Sequence, residues 1–255
     1  MLLPIGDDNR DRHTTPFVNY ILIALNIIVF VYWQQMGSDI TFTFAYSAVP
    51  AEILTGHDIV TGAKLIEDPI TGELIKMPGL EPTPIPVYLT LLTSMFMHGG
   101  WAHLGGNMLF LWIFGDNIEH AMGHRRYLVF YLLCGILASL AHVFSAAYLN
   151  ASTLVPSLGA SGAISGVLGA YIMLFPKRTV HVWVFLGTIA LPAFIVVGLW
   201  FVFQLVNGMG ILGGEEAAGG IAYAAHIGGF VAGLLLVRFF TRKVVPVQER
   251  RRSIW

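Results

Sequence analysis

Charge is scarce in this chain. Only 11% of its 255 residues are Asp, Glu, Lys or Arg, where a soluble domain carries about a quarter. With 56% hydrophobic residues and a mean hydropathy of +0.71, that scarcity excludes an ordinary soluble globule and indicates an integral membrane protein. Cysteine is almost absent: the single Cys134 excludes an internal disulfide and leaves the redox compartment unreported. The formal net charge of −1 selects no class of partner, and no nucleic-acid partner is expected. No H-E-x-x-H pair occurs, which argues against a zinc metalloprotease; neither a metal nor a cofactor is expected. An internal repeat of the kind that builds secondary transporters is also missing. The first sixteen residues, polar and mixed in charge, have the pattern of neither a cleavable signal peptide nor a transit peptide. The first apolar stretch is therefore expected to act as an uncleaved signal anchor.

What the chain has is apolar length. Stretches nearly free of charge and long enough to cross a bilayer occur six times, at about residues 17–36, 103–122, 127–149, 159–175, 191–208 and 221–240. Residues 180–190 are apolar too, but Pro192 follows, and they read as an interfacial lead-in to the fifth span. If the N-terminus is cytosolic, twelve Lys and Arg fall on the cytosolic side, and only Lys64 and Lys76 fall outside. The expectation is an all-α integral membrane protein of six transmembrane helices with both termini in the cytoplasm. Its parts are a tail (1–16), a membrane domain (17–240) with a long external first loop (37–97), and a basic tail (241–255). Within that loop, Leu65–Ile66 and Leu74–Ile75 flank "DPITGE", the pattern of a small hairpin, and a Pro-rich stretch follows. The loop reads either as a tolerated surface insertion or as a face for a partner or substrate.

Polar side chains within spans are costly and point to function by default. His103 and Asn107 are four apart, hence on one helical face, and Ser161 and Ser165 share a face in the same way. In "AYAAHIGGFVAG", Ala222, Gly229 and Gly233 lie on the side of His226, while the fourth span offers Gly159, Gly162, Gly166, Gly169 and Ala170. Small-residue faces let two helix backbones approach closely, so Ser161 and His226 can meet although 65 residues separate them. A serine hydroxyl becomes a nucleophile when an adjacent base takes its proton, and His226 can be that base. Ser161 also falls near a helix start, where free backbone N–H groups can stabilise an oxyanion; His103 and Asn107 are donors suited to the same anion. By the six-span topology all four sit at similar shallow depth near the external face, where water for hydrolysis is at hand. Each signal has a plainer reading. A serine among glycines can be packing, "GASG" lacks the second glycine of a G-x-S-x-G elbow, and a membrane histidine can simply bond a neighbouring helix. Asp116 and Glu119 are expected to cap or pair beside Arg125 and Arg126, and Gln204 and Asn207 to bond between helices.

Three motifs in order carry a resemblance. "HGGWAHLGGN" supplies His98, His103 and Asn107 in a His-x4-His-x3-Asn pattern; "GASG" supplies Ser161; "AHIGGFVAG" supplies His226. Over about residues 17–240 the chain resembles the rhomboid intramembrane serine proteases of bacterial type. That resemblance implies a Ser161–His226 dyad and an oxyanion hole of His103, Asn107 and the Ser161 amide. It implies a supporting role for His98 in holding the first loop, and the motif glycines Gly159, Gly162 and Gly229 are counted as supporting too. Substrates would be single-span membrane proteins cut near the external face. The fifth span, with the loop 208–220, would be lateral gate and cap. Two positions depart from the family pattern. Ser165 stands where some members place an aromatic that stacks on the catalytic histidine, so His226 must be oriented by packing or by a hydrogen bond. Leu89–Thr90 stand about where a first-loop Trp-Arg pair is common.

The competing readings are a non-catalytic rhomboid-like protein that escorts membrane clients and a histidine-lined transporter or channel. Retention of the nucleophile, base and oxyanion set disfavours the first; the lack of a repeat and of ionisable residues near the midplane disfavours the second. The expected location is a plasma (inner) membrane, with the site facing the periplasmic or extracellular side. No oligomer is required.

Overall fold

Each of the six apolar stretches holds a helix in the computed structural model, which describes residues 3–67, 74–149, 151–184, 187–212 and 223–241. Helix α1 (Phe17–Ile28) runs on as a wider π-turn over Val29–Trp33. After three short helices in the first loop, α2 (Ile40–Ala45), α3 (Pro50–Thr55) and α4 (Thr90–Thr93), come α5 (Trp101–Met122) and α6 (His124–Tyr148). Then follow α7 (Ser161–Leu174), α8 (Ala193–Leu212) and α9 (Tyr223–Phe240). Among the described residues, α6 and α9 are long and apolar enough to cross a membrane; the first, fourth and fifth stretches hold shorter apolar helices. The chain is thus mostly helical and membrane-embedded in character.

Helix α7 is the hub. Every residue from Gly162 to Tyr171 is buried, against α5, α6 and α9. Its small residues make that possible. A Cβ on Gly229 of α9 would lie 2.1 Å from the Gly162 carbonyl oxygen, and one on Gly233 would lie 2.0 Å from that of Gly166. The two backbones therefore touch, as small-residue helix faces permit. On another side of α7, a Cβ on Gly166 would meet the Cβ of Cys134 in α6 at 2.5 Å. The larger core side chains, among them Phe114, Phe130, Tyr127 and Tyr131, are fully buried around this centre.

Helix α1 has no side-chain cap of its own, since Pro16 precedes it. Its free N–H groups are met instead by Glu119 of α5, which accepts from Val18 N at 3.0 Å and Asn19 N at 2.7 Å. The expectation that Asp116 and Glu119 cap or pair is met, with partners other than Arg125 and Arg126: Glu119 caps this helix start and contacts His124, while Asp116 pairs with Arg12 at 3.2 Å. A helix N-terminus is a positive partial charge, and it draws the carboxylate inward.

The all-α expectation is corrected. Strands β1 (Leu3–Asp7), β4 (Thr179–Val184) and β5 (Gly187–Pro192) form an antiparallel sheet in the order β1-β4-β5. The supposed lead-in at 180–190 is its hairpin, with Val180 opposite Leu191 and Val182 opposite Ile189. The cause is visible in "TVHVWV": Val180 and Val182 are fully buried while His181 and Trp183 point outward, the period-two pattern of a strand. In the first loop, β2 (Lys64–Glu67) pairs with β3 (Leu74–Met77) as the flanking apolar pairs suggested. The connecting residues 68–73, most of the loop 208–220 and almost all of the C-terminal tail lie outside the described residues.

Candidate active site

The serine is the first residue of α7. It is presented there by Gly159, whose φ of +121° lies in the region that favours glycine. A Cβ at that position would also stand 2.7 Å from His103 Nε2, so two independent constraints exclude any side chain. From α9, His226 reaches across the glycine contact and places its Nε2 2.8 Å from Ser161 Oγ. Residues 65 apart in sequence thus form one hydrogen-bonded pair. Gly162 and Gly229 sit behind it, at the backbone contact that sets its spacing.

His103 and Asn107 join the pair on one cavity of about 650 Å³, whose lining includes Ser161, His226, His103 and Asn107. Asn107 is buried, and its Nδ2 donor has no protein partner. Gly99 N–H reaches His103 Nδ1 at 3.4 Å. That long contact favours the tautomer that carries its hydrogen on Nε2, the nitrogen nearest Gly159. Ser161, as the first residue of α7, has a backbone N–H with no intrahelical carbonyl to meet it. The arrangement therefore sets a nucleophile–base pair on one cavity with His103 and with Asn107, whose amide donor has no protein partner. Among the described residues, no three His, Cys, Asp or Glu side chains converge as a metal-binding group.

His98 does not line the cavity. Its ring lies edge-on to His103, centroids 5.1 Å apart, and both of its nitrogens are buried without a protein partner. Burial pushes that imidazole down to about 3, so it stays neutral. Its backbone is held by Gln34, a residue that sequence reasoning passed over: Gln34 Oε1 accepts from His98 N at 2.9 Å, and its Nε2 donates to His98 O at 2.8 Å. The first loop is further pinned to the segment before Ser161, through Ala48 N to Ser157 O at 3.0 Å and Gly159 N to Ser94 O at 2.9 Å. No feature of the local sequence marks Gln34; it sits at the end of an apolar run as an ordinary boundary residue would.

Gln204 was expected to bond between helices, and it does, but its partner is His226: Oε1 lies 2.8 Å from Nδ1. Ser165, in the position of the family's aromatic, turns its hydroxyl back onto the Ser161 carbonyl at 2.6 Å. The flank of His226 is occupied from α8 by Trp200, ring centroids 6.1 Å apart. The side chain of Asn207 lies outside the described residues.

Residues 86–243, well over half the chain, match the Rhomboid domain. The chain belongs to the rhomboid family. It is 32% identical over 163 residues to "Rhomboid protein 1, mitochondrial" of Saccharomyces cerevisiae, covering 64% of this chain and 45% of the yeast protein. To "Rhomboid protease GluP" of Bacillus subtilis it is 36% identical over 145 residues, or 56% of this chain and 24% of that protein. "Presenilin-associated rhomboid-like protein, mitochondrial" of Homo sapiens is 25% identical over 240 residues, 92% of this chain and 51% of the human protein. This rhomboid chain spans about half or less of the length of these relatives. The three sequence motifs all fall within the matched Rhomboid domain.

Proposed function

We propose that this rhomboid is an intramembrane serine endopeptidase with Ser161 as nucleophile and His226 as base. The observation that carries the reading is the 2.8 Å contact between Ser161 Oγ and His226 Nε2 at a cavity with an unpartnered buried donor, Asn107 Nδ2. His226 Nε2 takes the hydroxyl proton as Oγ attacks the carbonyl carbon of a substrate peptide. The oxyanion accepts from Asn107 Nδ2, His103 Nε2–H and the Ser161 backbone N–H. Collapse of the adduct breaks the C–N bond, and the proton on Nε2 passes to the departing amine. Water then repeats the cycle on the acyl-enzyme: Nε2 takes its proton, the new acid leaves, and Ser161 Oγ recovers its hydrogen.

The membrane frame of this reading has six spans, 17–240, with tails 1–16 and 241–255 in the cytosol and the loop 37–97 outside. The length of α7 supports a shallow site. Its 14 residues rise about 21 Å, short of a hydrocarbon core about 30 Å thick. If Leu174 reaches the cytosolic boundary, Ser161 sits below the external surface yet within reach of water. Substrates would be single-span membrane proteins entering beside α8. The location that fits is a bacterial plasma membrane with the site facing outward; fractionation decides between it and a mitochondrial membrane, where two of the named relatives are placed by their names.

The test is covalent labelling of the purified protein by a fluorophosphonate, beside Ser161→Ala and His226→Ala, followed by cleavage of a single-span substrate in the same membranes. Labelling and cleavage present in the wild type and lost in both variants are expected. A folded wild-type protein that neither labels nor cleaves overturns the protease reading and favours a non-catalytic escort.

A further inference from the structure

The base of the site has a second partner that the dyad reading leaves unused. Gln204 is one of few polar side chains on α8 and is buried. Its amide oxygen lies 2.8 Å from His226 Nδ1, on the opposite edge of the ring from Ser161. The same helix packs against α9 beside this contact. Trp200, one turn before Gln204, flanks the imidazole, and Phe201 stacks on Phe230, one turn after His226, with centroids 4.2 Å apart. From α7 the ring receives the serine, whereas Ser165 spends its hydroxyl on a backbone carbonyl.

We propose that Gln204 is the positioning residue of this site: its amide oxygen accepts the Nδ1 hydrogen of His226, so that the Nε2 lone pair faces Ser161 and the dyad is set only while α8 stands against α9. The inference rests on the protease reading above. A neutral imidazole carries one hydrogen on one of two nitrogens, and the neighbouring acceptor decides which. With Gln204 Oε1 at Nδ1, the hydrogen is held there and Nε2 is free to take the serine proton. The opposite amide orientation would place an N–H against Nδ1, move the hydrogen to Nε2 and leave no base for Ser161. After proton transfer the imidazolium keeps its Nδ1–H bond to the amide throughout. An uncharged amide third member has a precedent in Cys-His-Asn hydrolases. Here the acceptor comes from a helix that would border the substrate entrance, so displacement of α8 removes it and leaves His226 free to rotate or change tautomer.

Three variants and two readouts test this. Gln204→Leu removes the acceptor; Gln204→Glu keeps the shape and an acceptor; Gln204→Met, closer to glutamine in length, is a second apolar replacement should leucine fail to fold. Fluorophosphonate labelling and substrate cleavage measure rate, and ¹⁵N shifts of the His226 ring report its tautomer whether or not the protein is active. The expected result is a fall of about tenfold or more in kcat for Gln204→Leu, the size of one lost hydrogen bond, with KM unchanged. The Nδ1–H signature should be lost, and Gln204→Glu should recover both signature and most of the rate. Wild-type labelling in Gln204→Leu and Gln204→Met overturns the proposal and leaves the dyad standing. A slow variant that retains the Nδ1–H signature overturns it too, since the slowing would then be structural. If the wild type does not label at all, the protease reading falls, and the ring shifts alone decide whether Gln204 holds the tautomer.

Discussion

The carbonyl oxygen of Gly162 and the α-carbon of Gly229 are in backbone contact: a Cβ added to Gly229 would lie 2.1 Å from that oxygen. One residue before Gly162 stands Ser161, and three before Gly229 stands His226, so this contact is the fulcrum of the 2.8 Å pair. Gly229→Ala cannot be absorbed by a side-chain rotation, because the obstacle is main chain. The helices must part, at a cost of about 1–3 kcal/mol as in other overpacked cores. Labelling of Ser161 should fall at least as strongly as stability does. Gly198→Ala is the control: a Cβ there meets nothing within 4 Å, and alanine is the better helix former. Equal labelling in Gly229→Ala and wild type would separate the site from the glycine contact.

A second prediction concerns Gln34. Its side chain satisfies both the N–H and the C=O of His98 and also donates to Thr43 Oγ1 at 2.9 Å. Gln34→Leu leaves a buried backbone donor and acceptor unpaired, which costs about 1–3 kcal/mol. The expected result is faster amide exchange across residues 97–100 together with lower thermal stability. Because His103 follows in the same segment, labelling should slow without the tautomer of His226 changing. Unaltered exchange at His98 would remove Gln34 from the loop's anchoring.

Much of this is legible in the amino-acid sequence, and the reasons are physical. Helices in lipid are apolar, so the six charge-poor stretches show where helices lie, although those in the first, fourth and fifth are shorter apolar helices. Paired glycine stripes around Ser161 and His226 foretold a close contact because in an apolar medium only small residues permit one. Other features were not legible. The sheet formed by β1, β4 and β5 is short, and its alternation in "TVHVWV" is masked by the apolar run around it. Glu119 caps a helix start about 100 residues away, a partnership no local spacing can announce. Gln34 declares nothing in sequence, and Gln204 declares only a bond to another helix, since an isolated amide in an apolar helix takes its partner wholly from what the fold places opposite it.

The open donor at Asn107 makes a third prediction. Its Nδ2 is buried and has no protein partner, and such a donor costs free energy unless water, a ligand or a transition state supplies the acceptor. Removing it should raise stability slightly or leave it unchanged while slowing catalysis, the opposite signature from a structural asparagine. Loss of a sole oxyanion donor typically costs about 10²–10³ in rate. With His103 Nε2–H and the Ser161 amide still in place, Asn107→Ala should lose less than that. A folded but wholly inactive Asn107→Ala would show that the donors do not share the load, and the role of His103 would have to be withdrawn.

The last prediction is at the other end of α7. Asp7 of β1 accepts from Asn117 Nδ2 at 2.8 Å and from the Tyr171 hydroxyl. Asp116 faces it from α5, and Arg178 lies beside it at the start of the hairpin. Burial outweighs the hydrogen bonds from Tyr171 and Asn117 and the charge of Arg178, and raises the carboxyl from 3.8 to about 7. The folded protein therefore binds this proton more tightly than the unfolded chain does. Between pH 4 and 7 the native state holds more protons, so stability falls as pH rises through that window and is level outside it. Asp7→Asn keeps an acceptor for Tyr171 and abolishes the titration. Thermal unfolding in detergent from pH 4.5 to 8 should show a wild-type curve that declines toward neutrality and a variant curve that lacks this component, the two converging at the acid end. Parallel curves would mean that Asp7 is ionised at acid pH as an exposed carboxylate is, and that the Tyr171 contact does not depend on its proton.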